Sequence, residues 1–373
     1  MTRWDDLPNV LSPVGRTIAD LLEEGPQRQA LPGFDPVYRD FVDYIMRCTH
    51  RIWEEKNIGL CRTHYGADCT MHTLAGPAVG AETVVQGTIG ALAMSSDRQV
   101  IGEDVIWSAD PDGRLYSSHR ITSQMTHMGD DAMLGPATMR PISVTTIADC
   151  ACRDNRIVEE WLVRDNWRAV AQVGGDPWAV AQAQAAADAI GDPARHDWRR
   201  AAIAAVRGGT DAAVRGGTDA GVRGGADCAI PEQHPAELPA RMLRMALRDD
   251  LYGEAAAALS VAAEIRWPSN RHGFGRGYWI GCTTQLRAML HDSAFRLEHV
   301  AARALPMGDT AVAIRWSLTG VHRGAGLWGA ATGREILVMA VSHYRVRGGL
   351  VVEDVTVFDE LAILRQVAGG LGA

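Results

Sequence analysis

Residues 135–144 read G-P-A-T-M-R-P-I-S-V, and residues 329–338 read G-A-A-T-G-R-E-I-L-V. Gly, Ala, Thr, Arg, Ile and Val recur in the same places at a constant offset. The same offset carries Asp154-Asn155 onto Gly348-Gly349, Glu159 onto Glu353, Val163 onto Val357 and Asp165 onto Asp359. A register held without a gap over about thirty residues marks an internal repeat. The chain therefore reads as two copies of one unit, and its function as a property of two related pockets.

Working outward from the repeat, each copy has helices first and strands afterwards. In the first, helices fit 36–56 and Ala81 to Met94, with Phe41, Ile45, Cys48 and Ile52 on one stripe of the former. The strands V-I-W-S-A, R-L-Y-S-S-H-R-I-T-S-Q-M-T-H, P-I-S-V-T-T-I-A-D-C and R-I-V-E-E-W-L-V-R-D come next, the last two joined by a hairpin at Asp154-Asn155. In the second, helices fit 238–260 and 278–291, and four strands end in a hairpin at Gly348-Gly349. Helices succeeded by an antiparallel meander make an α+β unit. A strongly curved sheet wrapped around a helix makes a cone with a pocket at its mouth. The expected division is an N-terminal arm over 1–34, a first domain over 35–172, a helical and Gly-rich linker over 173–236 and a second domain over 237–368. The arm holds one short helix at Val14 to Glu24. The linker holds Ala-rich helices at 177–190 and 196–206, then three V-R-G-G repeats that favour a flexible tether.

With 373 residues, 47% hydrophobic and 22% charged, the chain can bury two cores. A net charge of −8 argues against a general nucleic-acid binder, which needs a basic face. Lys56 is the only lysine, so Schiff-base chemistry would fall to a residue at the end of a helix. Seven cysteines in no framework spacing, no signal-peptide core and no bilayer-length apolar run suggest a reduced, cytoplasmic, soluble protein without membrane partners. Gly324-Ala-Gly326-Leu-Trp-Gly329 spells a dinucleotide fingerprint but leads into a strand, so it is set aside. No metal-ligand spacing stands out, and neither metal nor cofactor is expected.

The runs W-S-L-T-G-V-H-R-G (316–324), T-G-R-E-I-L-V (332–338) and Y-R-V-R-G-G-L-V-V-E-D-V-T-V-F-D-E-L-A-I-L-R-Q (344–366) resemble SnoaL-like polyketide cyclases of the nuclear transport factor 2-like superfamily. M-T-H-M-G (125–129), T-M-R-P-I-S-V (138–144) and N-R-I-V-E-E-W-L-V-R-D (155–165) resemble them in the first unit. The resemblance implies cone domains that pair sheet to sheet, here as a pseudo-dimer within the chain or in a homo-oligomer. It also implies a small organic substrate handled without a cofactor, as in cyclases, isomerases and dehydratases, the alternative being a non-catalytic pseudo-dimer that binds a small ligand or a partner protein. The family's pocket Asp comes just after an aromatic residue in the last strand, where this sequence has Leu162 and Thr356; the acids come three residues later, as Asp165 and Asp359.

Period-two alternation puts Glu159, Trp161, Val163 and Asp165 on one strand face, with Glu353, Val355, Val357 and Asp359 at matching sites. If that face lines the cone, Asp165 is the catalytic base, its pKa raised by desolvation. Alternatively, both Asp residues cap or salt-bridge a strand end. His72 and His119 are the candidate catalytic partners, each also readable as a satisfied structural histidine. His127 and His322, in matching loop entries, are read as structural. The first unit is the more polar, with Tyr65, Asp68, His72, Glu82 and His119. The second carries Trp267, Tyr278, Trp279 and Trp316. The expected substrate contacts are Tyr65, Trp161, Arg140, Trp267, Trp316, His343 and Asp359. Arg140, repeated as Arg334, either clamps a carboxylate or pairs within its own repeat.

Overall fold

The computed structural model describes residues 19, 22–109, 113–188, 193–208, 227–230 and 233–369. Most of the short helix expected at Val14–Glu24, and most of the V-R-G-G repeats, lie outside the described residues.

Two six-stranded sheets repeat one topology. The first comprises β1 (Tyr65–Thr73), β2 (Gly76–Val79), β3 (Gln99–Ala109), β4 (Leu115–Thr126), β5 (Pro141–Arg153) and β6 (Arg156–Arg164), in the order β2-β1-β6-β5-β4-β3. The second comprises β7 (Leu259–Trp267), β8 (Arg271–Phe274), β9 (Leu290–Ala304), β10 (Thr310–His322), β11 (Glu335–Arg347) and β12 (Leu350–Phe358), in the order β8-β7-β12-β11-β10-β9. The four-stranded meanders are antiparallel as expected. Each sheet gains a short hairpin whose first strand runs parallel to the last strand of its meander, β1 beside β6 and β7 beside β12.

Within the concavity of the first sheet lie α1 (Phe41–Trp53) and α2 (Ala81–Met94). Helix α1 starts where the Asp40 side chain accepts the amide of Asp43, and it buries Phe41, Tyr44, Ile45, Cys48 and Ile52. After β6 come α3 (Asn166–Gln172), α4 (Pro177–Asp188) and α5 (Pro193–Val206). The last two are docked on the second unit, Asp188 pairing with Arg365, and Arg199 reaching Glu335 O at 3.1 Å and Gln366 Oε1 at 3.3 Å. The helix expected over 238–260 is two pieces, α6 (Glu237–Leu247) and α7 (Tyr252–Ala256). Asp250 takes a left-handed φ of 56° between them, and Leu251 turns outward. Helix α8 (Gly275–Met289) fills the second concavity and α9 (Glu360–Val367) closes the repeat.

The convex faces of the two sheets pack against each other, so the pairing is made within one chain. Arg315 forms a buried ion pair with Asp149 and lies over the Trp161 ring, 3.5 Å from its centroid. Tyr116 stacks on His299 at 4.3 Å, and Ser118 Oγ meets His343 Nε2 at 2.9 Å. Arg303 pairs with Asp104 and donates to Val105 O, while Arg120 bridges Glu103 at 3.0 Å and Glu353 at 3.5 Å. The repeated A-T-x-R stretch is structural in both copies. His127 Nδ1 meets Thr138 Oγ1 and His322 Nδ1 meets Thr332 Oγ1, each at 3.1 Å. Arg334 donates to Val367 O at the end of α9, and Arg140 lies beside Gly174, just beyond α3.

Candidate functional site

Strand pairing decides which side chains enter each cone. Residues paired directly across two strands share a face. In the first sheet the inward rows are Ser117–Cys150–Glu160, His119–Ala148–Leu162 and Ile121–Thr146–Arg164. Ala148, Cys150 and Leu162 pack with α1 residues Phe41, Tyr44 and Ile45, which fixes this side as the interior. The alternation along β6 is as expected, but its sense is the reverse. Glu159, Trp161 and Val163 face the other sheet, and Glu160, Leu162 and Arg164 face the cone.

That reversal relocates the expected residues. Asp165 ends β6 as the N-cap of α3, accepting the amide of Arg168 at 3.2 Å and that of Ser269 across the interface at 3.0 Å. Asp359 caps α9 through the amide of Ala362 at 3.1 Å and accepts from Asn166 Nδ2 at 2.6 Å. Burial raises both carboxyls to about 6. His72 bonds Glu159 at 2.8 Å and stacks on Trp161, on the interface side. Trp161 and His343 belong to the sheet–sheet contact, and Arg140 to the end of α3. Tyr65 and His119 are in the first cone; Trp267 and Trp316 are in the second.

Each cone holds one buried carboxylate that the sequence alone does not single out. Glu160 in the first and Asp354 in the second sit at the same offset as the repeat and are buried. Burial pushes Glu160 up to about 7, against the pull of Arg164 and a hydrogen bond from Tyr65. Burial also raises Asp354, to about 6, although Thr356, Trp267 and Trp279 all donate to it.

The cones differ in how their polar groups are satisfied. In the second, Trp267 Nε1 reaches Asp354 Oδ2 at 3.2 Å and Trp279 Nε1 reaches it at 2.9 Å. Thr356 Oγ1 meets Asp354 Oδ1 and Ser342 Oγ, each at 2.7 Å, and Trp316 Nε1 donates to Ser342 Oγ at 2.9 Å. These bonds satisfy the carboxylate within a network around large rings, while the buried Tyr344 hydroxyl on the same inward face has no hydrogen-bond partner. In the first, Ser117 Oγ, His119 Nε2, Thr146 Oγ1, Arg98 Nε and Arg164 Nε are buried without a hydrogen-bond partner. Where the second unit has Tyr344 and Ser342, the first has Cys150 and Ala148; where the second has Phe358, the first has Arg164. Small residues thus stand at the centre of the first sheet, among buried polar atoms without partners. His119, next to Met46 and Gly102, is lowered to about 4 by burial, and so is neutral at working pH. Two surface grooves, one along Tyr252, Arg287 and His291 and one along Met242, Met245 and Leu350, lie on the second unit and include neither carboxylate.

Among the described residues, no group of three or more His, Cys, Asp or Glu side chains is gathered as a metal site, and no helix is long and apolar enough to cross a membrane.

Residues 256–367 match the family model of the SnoaL-like polyketide cyclases. No curated protein matches the chain. Among solved structures, wild-type IdmH from Streptomyces antibioticus is similar at 24% identity and a TM-score of 0.31, over 36% of this chain and 97% of its own. TsrD from Streptomyces laurentii is similar at 17% identity and 0.32, over 36% and 96%. A protein with a ketosteroid isomerase-like fold from Catenulispora acidiphila is similar at 16% identity and 0.29, over 35% and 93%. Residues 256–367 are thus similar to the SnoaL-like polyketide cyclases, and the first unit has the same strand order.

Proposed function

We propose that this protein is a small-molecule enzyme working by general acid–base catalysis inside the cone of its first unit, with Glu160 as the base. The observation that carries the reading is the contrast between the two carboxyls: Asp354 accepts from Trp267, Trp279 and Thr356, whereas Glu160, at about 7, lies in an interior with five unpaired polar atoms. A general base is most effective when its pKa lies near the working pH. The reaction class is proton abstraction beside a carbonyl, as in cyclisation, isomerisation or elimination. Glu160 takes the proton, the electron pair moves toward the carbonyl oxygen, and the neutral His119 ring offers a hydrogen bond along the same face. The second unit, with its carboxylate fully bonded, serves as the partner that buttresses the first sheet.

The test is a time course of every mass in a bacterial metabolite extract incubated with catalytic amounts of protein. Multiple-turnover loss of a metabolite is expected. It falls by about 10²–10⁴-fold in Glu160→Gln and persists in Asp165→Asn. Loss that stops at one equivalent of protein would make the chain a binder, and turnover surviving in Glu160→Gln would sink the assignment of the base.

A further inference from the structure

One end of the same cone carries a feature that base catalysis does not use. Arg98, in the turn before β3, is buried, donates to Ser123 Oγ at 3.0 Å and stacks over Trp53 at 4.4 Å from the ring centroid. Arg164, half-buried at the end of β6, is close enough to repel it electrostatically. The Nε of each is buried without a partner, and Thr146 Oγ1, on the strand between Ile121 and Arg164, is unpaired as well. Among the described residues neither arginine is in an ion pair within 4 Å. The acids beside Arg98 are engaged elsewhere: Asp97 accepts the amide of Thr126, and Glu54 that of Val100. Arg164 feels Asp359 and Glu160 only as charges in its neighbourhood. Lys56, the single lysine, adds to the positive field by donating to Arg98 O at 2.9 Å. Two guanidinium groups, one buried and one half-buried, each with a buried unpaired Nε, beside a hydroxyl on each of two neighbouring strands and no bound acid, are costly to leave alone. They are the donor set of a carboxylate receptor, since guanidinium forks match planar oxyanions.

We infer that Arg98, Arg164, Ser123 and Thr146 bind a carboxylate group of the substrate, so the molecule acted on is an organic acid anion held at this end of the cone. The inference rests on the cone of the first unit being the working site. A substrate anchored here by its carboxylate extends along the inward face toward His119 and Glu160, past Ala148 and Cys150. The repeat underlines the specialisation, because the second unit has Phe358 at the position of Arg164.

The experiment is calorimetric titration of the full chain with 2-naphthoate and with its neutral near-isostere 2-naphthamide. The naphthoate is expected to bind at least about tenfold more tightly. Arg98→Gln and Arg164→Gln should each bring that ratio toward one. Glu160→Gln, which leaves both arginines in place, should keep the ratio or raise it. Equal binding of the two probes, no binding of the naphthoate by the unaltered protein, or a ratio unchanged in both arginine variants would overturn the inference. The comparison on the unaltered protein decides even where an arginine variant fails to fold. Failure of the catalytic reading shows separately, as turnover retained in Glu160→Gln, and leaves the naphthoate ratio untouched.

Discussion

Glu160 and Glu159 are neighbours of the same residue type, and their roles are set apart by one position on a strand. Glu159 meets His72 on the convex side, whereas Glu160 points at Tyr65 on the concave side. The folded-state value of Glu160, about 7 against an ordinary 4.5, favours the protonated acid. Its contribution to stability is therefore complete below the unfolded value and is lost as pH rises through about 7. A shift of that size corresponds to about 3 kcal/mol. Glu160→Gln should unfold at the same urea concentration as the unaltered protein at pH 4, and at a clearly higher one at pH 8. Identical midpoints at pH 8 would mean that the carboxylate is not desolvated. Activity has the opposite slope, since a base works only when deprotonated: kcat/KM should climb with pH around 7. A profile flat from pH 5.5 to 8.5 would remove Glu160 from the chemistry.

At the scale of elements, the recurrence of Asp165 and Asp359 is explained by the helix that begins at the end of each last strand. Both strands turn directly into that helix, and an Asp at the junction accepts an amide of the first helical turn. Each also reaches across to the other unit, Asp165 to Ser269 N and Asp359 to Asn166 Nδ2. Repetition in the sequence thus reports a repeated cap. Asp165→Ala is expected to cost about 1–2 kcal/mol in urea unfolding, with Asp165→Asn recovering most of it, because asparagine caps nearly as well. An alanine variant as stable as the parent would show the cap to be idle. The elements missing from the sequence reading are the two strands of each added hairpin, nine-residue β1 and β7 and their short partners. Strands β2 and β8 span four residues each, too few for a period to show, and they sit in Gly-bearing stretches that read as loops. The break between α6 and α7 was equally hidden, because Leu243, Leu247 and Leu251 continue a helical stripe through the turn at Asp250.

The whole molecule is two sheets back to back, locked by buried charges. Arg315 and Asp149 are each almost fully buried, and the guanidinium also lies on Trp161 and reaches Glu298 at 3.4 Å. Removing one partner leaves an uncompensated charge in the contact, so Asp149→Ala should destabilise the protein by about 3–5 kcal/mol. The double change Asp149→Leu with Arg315→Met should recover much of the loss. A single-variant cost below about 1 kcal/mol would indicate that this ion pair does not hold the sheets together.

The chain by itself determined that there are two units, that each orders helices before a meander, and where the last hairpin of each meander falls, because a repeat and a turn are local signals that survive without a fold. It did not determine which face of each strand looks inward. Such parity is visible when one face is wet and the other dry. Here one face lies on helices and the other on the partner sheet, so buried residues occupy both and V-E-E-W-L-V reads equally well in either sense. Only the pairing of Cys150 with Glu160 and of Ala148 with Leu162, against an α1 already seated in the cone, settled it. The tertiary structure thereby moved the candidate base from Asp165 to Glu160 and set Arg98 within electrostatic reach of Arg164, an arrangement of residues far apart in sequence that no spacing along the chain foretells.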